Sequence, residues 1–237
     1  MKALVIIPTY NERENISNLA EAVLKKDPRL NILVVDDNSP DKTYEIVMAL
    51  SKKYSNKIFL IKRSGKLGLG TAYIEGFKWA IAHKYEYVLQ MDADFSHSPD
   101  YIPLMLDKIK KCDLVIGSRY VKDGGTKNWG TIRKIISRAG SIYARSLLNL
   151  KIRDLTGGFK CFRRKVLENI DLNSIKSNGY CFQIETTYRS ILKGFKVTEI
   201  PIIFDDRRVG KSKMSKKIVL EALIKVPSMR SIRHKLK

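Results

Sequence analysis

Two carboxylates, Asp92 and Asp94, follow the short apolar run Tyr87 to Met91 in the stretch LQMDADFSHSPD. If a strand continues through them, residues i and i+2 share a face. Like charges that close disfavour each other, so something positive should offset them. A hard divalent cation would do so, because Mg²⁺ usually takes one or two carboxylates together with substrate phosphate oxygens. Bound there, it would neutralise a leaving diphosphate as a Lewis acid. The competing reading is a strand end followed by a solvated turn, since Asp, Ser and Pro favour turns.

Other stretches carry groups that a phosphate-bearing substrate needs. The loop SGKLGLG, residues 64–70, has glycines at 65, 68 and 70 that let backbone approach a nucleotide. It lacks the GxxxxGK[ST] spacing of a P-loop, and an ordinary strand-to-helix turn is the alternative. DDNSPD, residues 36–41, offers aspartates to a base or ribose, or a helix N-cap through Asp41 or Ser39. Arg119, Arg133 and Ser137 could assemble a phosphate site, because guanidinium forks match phosphate oxygens. Arg207, Lys211 and Lys213 suggest a second anion-binding loop; the alternative for each is a solvated face. His83, His97 and His234 show no ligand spacing and read as bystanders.

The elements that must position these groups follow from periodicity. Apolar runs at Ala3 to Ile7, Asn31 to Val35, Lys57 to Lys62, Glu86 to Met91 and Leu114 to Gly117 predict strands. Helical spacing fills Glu12 to Lys26, Thr43 to Tyr54, Ala72 to His83 and Pro99 to Lys111. This alternation predicts an α/β fold, a mostly parallel sheet with helices on both faces. Ligands bind such sheets outside the carboxyl ends of the strands. PTYNE, DDNSPD and DADFSH all fall at such ends, which favours a functional Asp92 and Asp94.

The second half is less regular. Thr131 to Leu150 reads as an amphipathic helix with Ile132, Ile136, Ala139, Tyr143, Leu147 and Leu150 inward. RDLTGGFKCF enters a strand, Gln183 to Lys193 is a helix, and Lys196 to Phe204 is a strand. A basic loop and an amphipathic segment, Ile218 to Val226, close the chain. This gives a catalytic unit at 1–215 and a basic amphipathic tail at 216–237.

A chain of 237 residues has room for one such domain and its core. The net charge of +21 implies an anionic partner. It is concentrated late: residues 207–237 hold eleven Lys or Arg against one acid, Glu221. Nucleic acid is not expected as that partner. No helix–turn–helix, RRM or zinc signature is visible, and aligned acidic loops would repel a phosphate backbone. Three widely spaced cysteines fit neither a disulfide framework nor a zinc site and favour a reduced cytosolic compartment. No apolar run approaches the ~20 residues needed to span a bilayer. Any membrane contact is therefore expected to be peripheral, at the cytosolic face.

Taken together, IIPTYNE, VVDDNSPDKT, KLGLGTAYIEGF, MDADFSHSPDYIP, GSRY, DLTGGFKCF, GYCFQIE and DRRVGKSKM resemble the dolichyl-phosphate mannosyltransferases of the inverting glycosyltransferase family 2. The resemblance covers roughly residues 3–215 and implies a Rossmann-like GT-A fold. It implies transfer of mannose from GDP-mannose to dolichyl or polyprenyl phosphate, with a UDP-sugar donor as the alternative. Pro8, Tyr10, Glu12, Asp37, Lys66 and Gly68 would hold the nucleotide, and Asp92 and Asp94 would bind Mg²⁺ or Mn²⁺. Arg119, Arg133 and Ser137 would grip the lipid phosphate, with Asp94, Arg119 and Arg133 central to catalysis. Arg207 and Lys213 match a loop that closes over the donor diphosphate. Ser96 stands where some relatives carry a glutamine metal ligand. Many relatives continue into transmembrane helices. This chain would instead meet the membrane through its tail or through a small anchoring subunit, unless the tail helix packs on the catalytic domain.

Overall fold

The computed structural model describes residues 2–206 and 216–232. Seven strands form the main sheet: β1 (Ala3–Thr9), β2 (Leu30–Asp36), β3 (Ile58–Lys62), β4 (Tyr87–Gln90), β5 (Leu114–Ser118), β7 (Lys160–Arg163) and β8 (Val197–Pro201). Their order is β3-β2-β1-β4-β7-β5-β8. All pairs are parallel except those of β7, which runs antiparallel to both β4 and β5. A second, two-stranded sheet pairs β6 (Gly125–Lys127) with β9 (Ile203–Asp205).

Helices cover both faces, as the alternation predicts. The α1 (Ile16–Leu24), α2 (Thr43–Lys53) and α4 (Ile102–Lys108) helices pack on one side. The α3 (Leu69–Ala82), α5 (Thr131–Leu148), α6 (Arg164–Asn169), α7 (Gly179–Leu192) and α8 (Lys216–Met229) helices take the other. Strand β1 shows why its run is continuously apolar. Leu4 and Ile6 enter one core while Ala3, Val5 and Ile7 enter the other, the period-two alternation of a strand buried on both faces.

Three expectations change, and the strand order adds what no periodicity gives: β7, from the TGGFKCF segment, lies between the fourth and fifth apolar runs. Local periodicity identifies a strand but not its neighbour. Lys196 to Phe204 is two strands in different sheets, separated at Ile202. The helical stretch from Pro99 to Lys111 is α4 flanked by short 3₁₀ turns. In α5 the expected stripe is not the buried face: Ile132 is 75% exposed, Ile136 and Ala139 are exposed, Tyr143 and Leu147 are only half-buried, and Ser141, Ala144 and Leu148 are buried instead. That helix packs on the core along its second half, and the apolar side chains of its first half are exposed.

Helix α8 lies against α5 and α7, with Val226 and Met229 buried in the core and Leu223 and Ile224 exposed. Packing on the catalytic domain, one of the two readings of the tail, therefore holds for this face. Ile218, Val219 and Ala222 have side chains outside the described residues.

One core residue breaks the apolar rule. Lys160 on β7 is fully buried; its Nζ donates to the Gln183 carbonyl at 2.6 Å, Thr187 Oγ1 at 3.0 Å and Thr186 Oγ1 at 3.3 Å. Burial pushes its pKa down to about 7, against the opposing charge of Asp154. Between that value and the unfolded value of about 10.4, the unfolded chain binds a proton that the folded chain lacks. Stability should therefore rise with pH across that window. Thermal unfolding of wild type and Lys160→Met from about pH 6.5 to about pH 9.5 checks this. Wild type should gain stability relative to the variant as pH rises, and parallel curves would refute the assignment.

Candidate active site

The carboxyl ends of β1, β2 and β4 open into a cleft of about 330 Å³. Ten of the expected residues line it: Pro8, Tyr10, Glu12, Asp37, Lys66, Gly68, Asp92, Asp94, Arg119 and Arg133. Ser137 does not, and Arg207 and Lys213 lie outside the described residues.

At one end, the two aspartates at the carboxyl end of β2 take different tasks. Asp36 is fully buried and accepts bonds from Thr9 Oγ1 (2.7 Å), Ser39 Oγ (2.6 Å) and Ser39 N (2.9 Å). It knots the strand ends together. Asp37 faces the cleft and pairs with Arg63, whose Nη1 donates to Oδ1 at 2.7 Å. The other arm of Arg63 donates to Thr71 Oγ1 at 2.6 Å, so one buried guanidinium ties the β2 loop to the start of α3. The N-cap of α2 is Lys42, not Asp41 or Ser39; Asp41, one residue earlier, accepts from Thr43 N and Oγ1 at its Oδ1 at 3.0 and 2.6 Å. Lys66 Nζ stands 4.1 Å from the centre of the Tyr10 ring, a cation over an aromatic face.

The glycine loop is held from across the cleft. Gly68 has φ +103°, a conformation that L side chains rarely adopt. Gly70 N donates to Asn178 Oδ1 at 3.0 Å. A Cβ on Gly70 would lie 2.5 Å from the Ser177 carbonyl oxygen. Helix propensity alone favours alanine there by about 1 kcal/mol, but the clash with backbone should reverse the sign. Gly70→Ala is expected to lower the melting temperature and weaken nucleotide binding together. An unchanged melting temperature in a thermal scan would show that the loop yields freely.

Asp92 and Asp94 are not on a strand. β4 ends at Gln90, and the pair lies on the turn that follows. The chain bends because Asp94 Oδ1 accepts from Ser96 N at 3.1 Å and Ser96 Oγ at 2.6 Å, the local side-chain bonding that competes with a ladder. Asp94 is buried, whereas the Asp92 side chain is 36% exposed. Ser96 thus holds Asp94 in place.

His97 is not a bystander. It is buried and stacked on Phe159 at 5.0 Å, and its Nδ1 accepts the backbone N–H of Asp92 at 3.1 Å. Burial pushes its pKa below the usual histidine value despite the nearby charge of Asp92. The ring is therefore neutral, with its proton on Nε2.

The far end is basic but internally paired. Arg119 is buried, with Nε and Nη2 each donating to the Asp154 carboxylate at 2.7 Å and Nη2 also to Thr156 Oγ1 at 2.8 Å. Burial opposes its charge, but Asp154 outweighs burial and keeps Arg119 cationic; Arg119 in turn holds Asp154 below the usual carboxylate range. Arg133 Nη1 donates to both oxygens of Asp206 at 2.8 Å and lies 4.1 Å from the Trp129 ring centre. Tyr120 Oη donates to Ser137 Oγ at 2.8 Å.

Arg63, His97, Asp154, Trp129 and Gln183 were not singled out from the sequence. Arg63 carried a signal: a basic residue immediately past β3 and before a glycine loop. Asp154, Trp129 and Gln183 depend on contacts between distant segments, whereas His97 acts locally, five residues from the Asp92 N–H that it accepts. Among the described residues no group of three or more His, Cys, Asp or Glu side chains could hold a metal ion. Asp92 and Asp94 supply two hard carboxylates on one cleft wall, which suits an oxygen-seeking divalent ion that completes its shell with substrate and water.

The Glycosyl transferase family 2 model matches residues 4–171. The chain is 45% identical to the polyprenol monophosphomannose synthase of Mycolicibacterium smegmatis over 95% of this chain and 85% of that one. It is 42% identical to the undecaprenyl-phosphate mannosyltransferase of Micrococcus luteus, over 95% and 93% of the two chains. Among solved structures it is similar to glucosyl-3-phosphoglycerate synthase from Mycobacterium tuberculosis, crystallised with Mn²⁺, UDP and glucosyl-3-phosphoglycerate. The TM-score is 0.66 at 16% identity, covering 98% of this chain and 79% of that one. At that identity the likeness supports the GT-A fold alone.

Proposed function

We propose the following activity for this chain, which belongs to glycosyl transferase family 2: it transfers mannose with inversion from GDP-mannose to a polyprenyl phosphate. The carrying observation is that Asp92, Asp94 and Lys66 share one cleft with Arg119 and Arg133. Carboxylates suited to a metal-bound diphosphate therefore face cations suited to a second phosphate. The names of the two mannosyltransferases above support the lipid phosphate as acceptor.

Pro8, Tyr10, Glu12, Asp37, Lys66 and Gly68 would hold the nucleotide, with Arg63 fixing Asp37. Asp92 and Asp94 would hold Mg²⁺ or Mn²⁺, which when bound neutralises charge on the departing diphosphate. Arg119 and Arg133 would align the lipid phosphate. One of its oxygens, already anionic near neutral pH, attacks C1 of mannose from the face opposite GDP. The O–C1 bond forms, the C1–O bond to diphosphate breaks, and GDP leaves with the electron pair. No proton has to be removed from the nucleophile, so no general base is required. Alignment and charge neutralisation supply the acceleration.

The lipid end suggests where the protein works. No helix among the described residues is long and apolar enough to cross a membrane. Exposed Ile132, Ile135, Ile136 and Ile142 on α5, with Leu223 and Ile224 on α8, stand among Arg133, Lys134, Arg138, Arg145 and Lys225. Apolar side chains ringed by cations suit the interface of an acidic bilayer. A peripheral position against the membrane follows from this reading.

The test is a donor screen. Radiolabelled GDP-mannose with polyprenyl phosphate in anionic vesicles should give label extractable into organic solvent, dependent on Mg²⁺ or Mn²⁺. The product should be the β anomer by its C1–H1 coupling. Label carried from UDP-glucose and none from GDP-mannose would overturn the donor assignment.

A further inference from the structure

We propose that Gln183 is the residue that reads the transferred hexose, and that Gly158 is kept bare to make room for that sugar. The proposal rests on the mannosyl-transfer reading and locates the sugar within the same cleft. Gln183 lines the cleft at 3% exposure, and its Oε1 is a buried acceptor with no hydrogen-bond partner. A buried, unpaired amide oxygen carries an uncompensated desolvation cost, so an orphan on a cleft-lining side chain calls for a ligand that donates. On the acceptor side of the cleft, Trp129 Nε1 is likewise buried and unpaired.

The space beside Gln183 is where the hexose must lie. A Cβ built on Gly158 would stand 3.4 Å from His97 Cε1, 3.5 Å from Gln183 Nε2 and 3.9 Å from Asp92 Oδ1. One point, left open by a missing side chain, is thus bordered by the Gln183 amide, the His97 edge and a diphosphate-side carboxylate. In the transfer reading, C1 lies between the donor diphosphate near Asp92 and the acceptor phosphate near Arg119. A sugar spanning that gap presents hydroxyls to Gln183 Oε1 as donors and to Trp129 Nε1 as acceptors.

Gln183 is also held rigidly enough to discriminate. Its backbone carbonyl accepts from buried Lys160 Nζ at 2.6 Å, Thr187 Oγ1 at 3.1 Å and Thr186 Oγ1 at 3.2 Å. Pinning the main chain of α7 to β7 fixes the origin of the amide. Unpaired buried polar groups in a fixed site reject ligands that lack the matching hydroxyl.

Two variants test this. Gln183→Leu keeps the volume and removes the acceptor. Gly158→Ala adds a methyl group at ordinary van der Waals distances, so it fills the sugar space without forcing the fold. Calorimetry should show GDP-mannose binding weakened about tenfold in each, the loss of roughly one hydrogen bond, with GDP affinity within about twofold of wild type. The kcat/KM for GDP-mannose should fall by at least the same factor. Unchanged GDP-mannose affinity in both variants overturns the proposal, and so does an equal loss for GDP and GDP-mannose. A wild type that uses a UDP-sugar instead defeats the donor assignment separately. The same pair of variants, compared with that UDP-sugar and UDP, then still decides the role of Gln183.

Discussion

Asp92→Ala is expected to lower mannosyl transfer by about a thousandfold or more, the scale on which transition-state charge stabilisation is lost. The reason lies in how Asp92 is held. Its side chain is the more exposed of the pair, and its backbone N–H, not its carboxylate, bonds His97. Truncation should therefore spare the bond that ties the turn to His97, while removing the proposed ligand for the ion together with its contact to the buried Tyr73 hydroxyl. Asp94 is a less clean target, since its carboxylate accepts both bonds from Ser96 that shape the turn. The measurement is the initial rate of label transfer across a titration of Mg²⁺ or Mn²⁺, with melting temperature as a control. Residual activity that survives excess chelator would show that these carboxylates do not act through a metal.

Asp154→Ala is expected to destabilise the fold by about 3–5 kcal/mol, because it leaves the Arg119 guanidinium charged and buried without its partner. The two side chains are 0% and 4% exposed, so solvent offers little relief. For a domain of this size the melting temperature should fall on the order of 10 °C. The paired change Arg119→Met with Asp154→Leu should recover much of that loss, since apolar replacements remove both charges from the interior. Under the proposed function it should nevertheless stay inactive, because Arg119 is the cation proposed to align the lipid phosphate. Thermal scans of the single and double variants, with transfer assays, test both halves. A double variant no more stable than Asp154→Ala would show that packing, not the ion pair, dominates this site.

How legible the site was depended on the distance between its parts. The carboxyl-end loops were readable because each is contiguous with a strand of unmistakable pattern. The Arg119 site was half readable. Arginine suggested an anion, but the partner that fills its fork, Asp154, lies 35 residues away in a stretch whose only local signal is turn chemistry. His97 looked inert because its role is to accept a main-chain N–H, which no ligand spacing records. Lys160 was invisible as a core residue, since a lysine in a short strand is ordinarily a solvent-facing one.

By itself the sequence determined the alternation of strands and helices, the sheet edge where the cleft opens, and the polar loops gathered there. Those follow from local periodicity and chain connectivity, which short-range chemistry dictates. Tertiary structure alone decided that β7 enters antiparallel between β4 and β5, that Asp92 and Asp94 leave the strand for a Ser96-fixed turn, and that α5 turns isoleucines outward. It also decided that Gln183 lines the cleft with its Oε1 buried and unpaired. Each depends on which surfaces meet across the fold, and burial and pairing between distant segments outweigh local preference wherever the two compete.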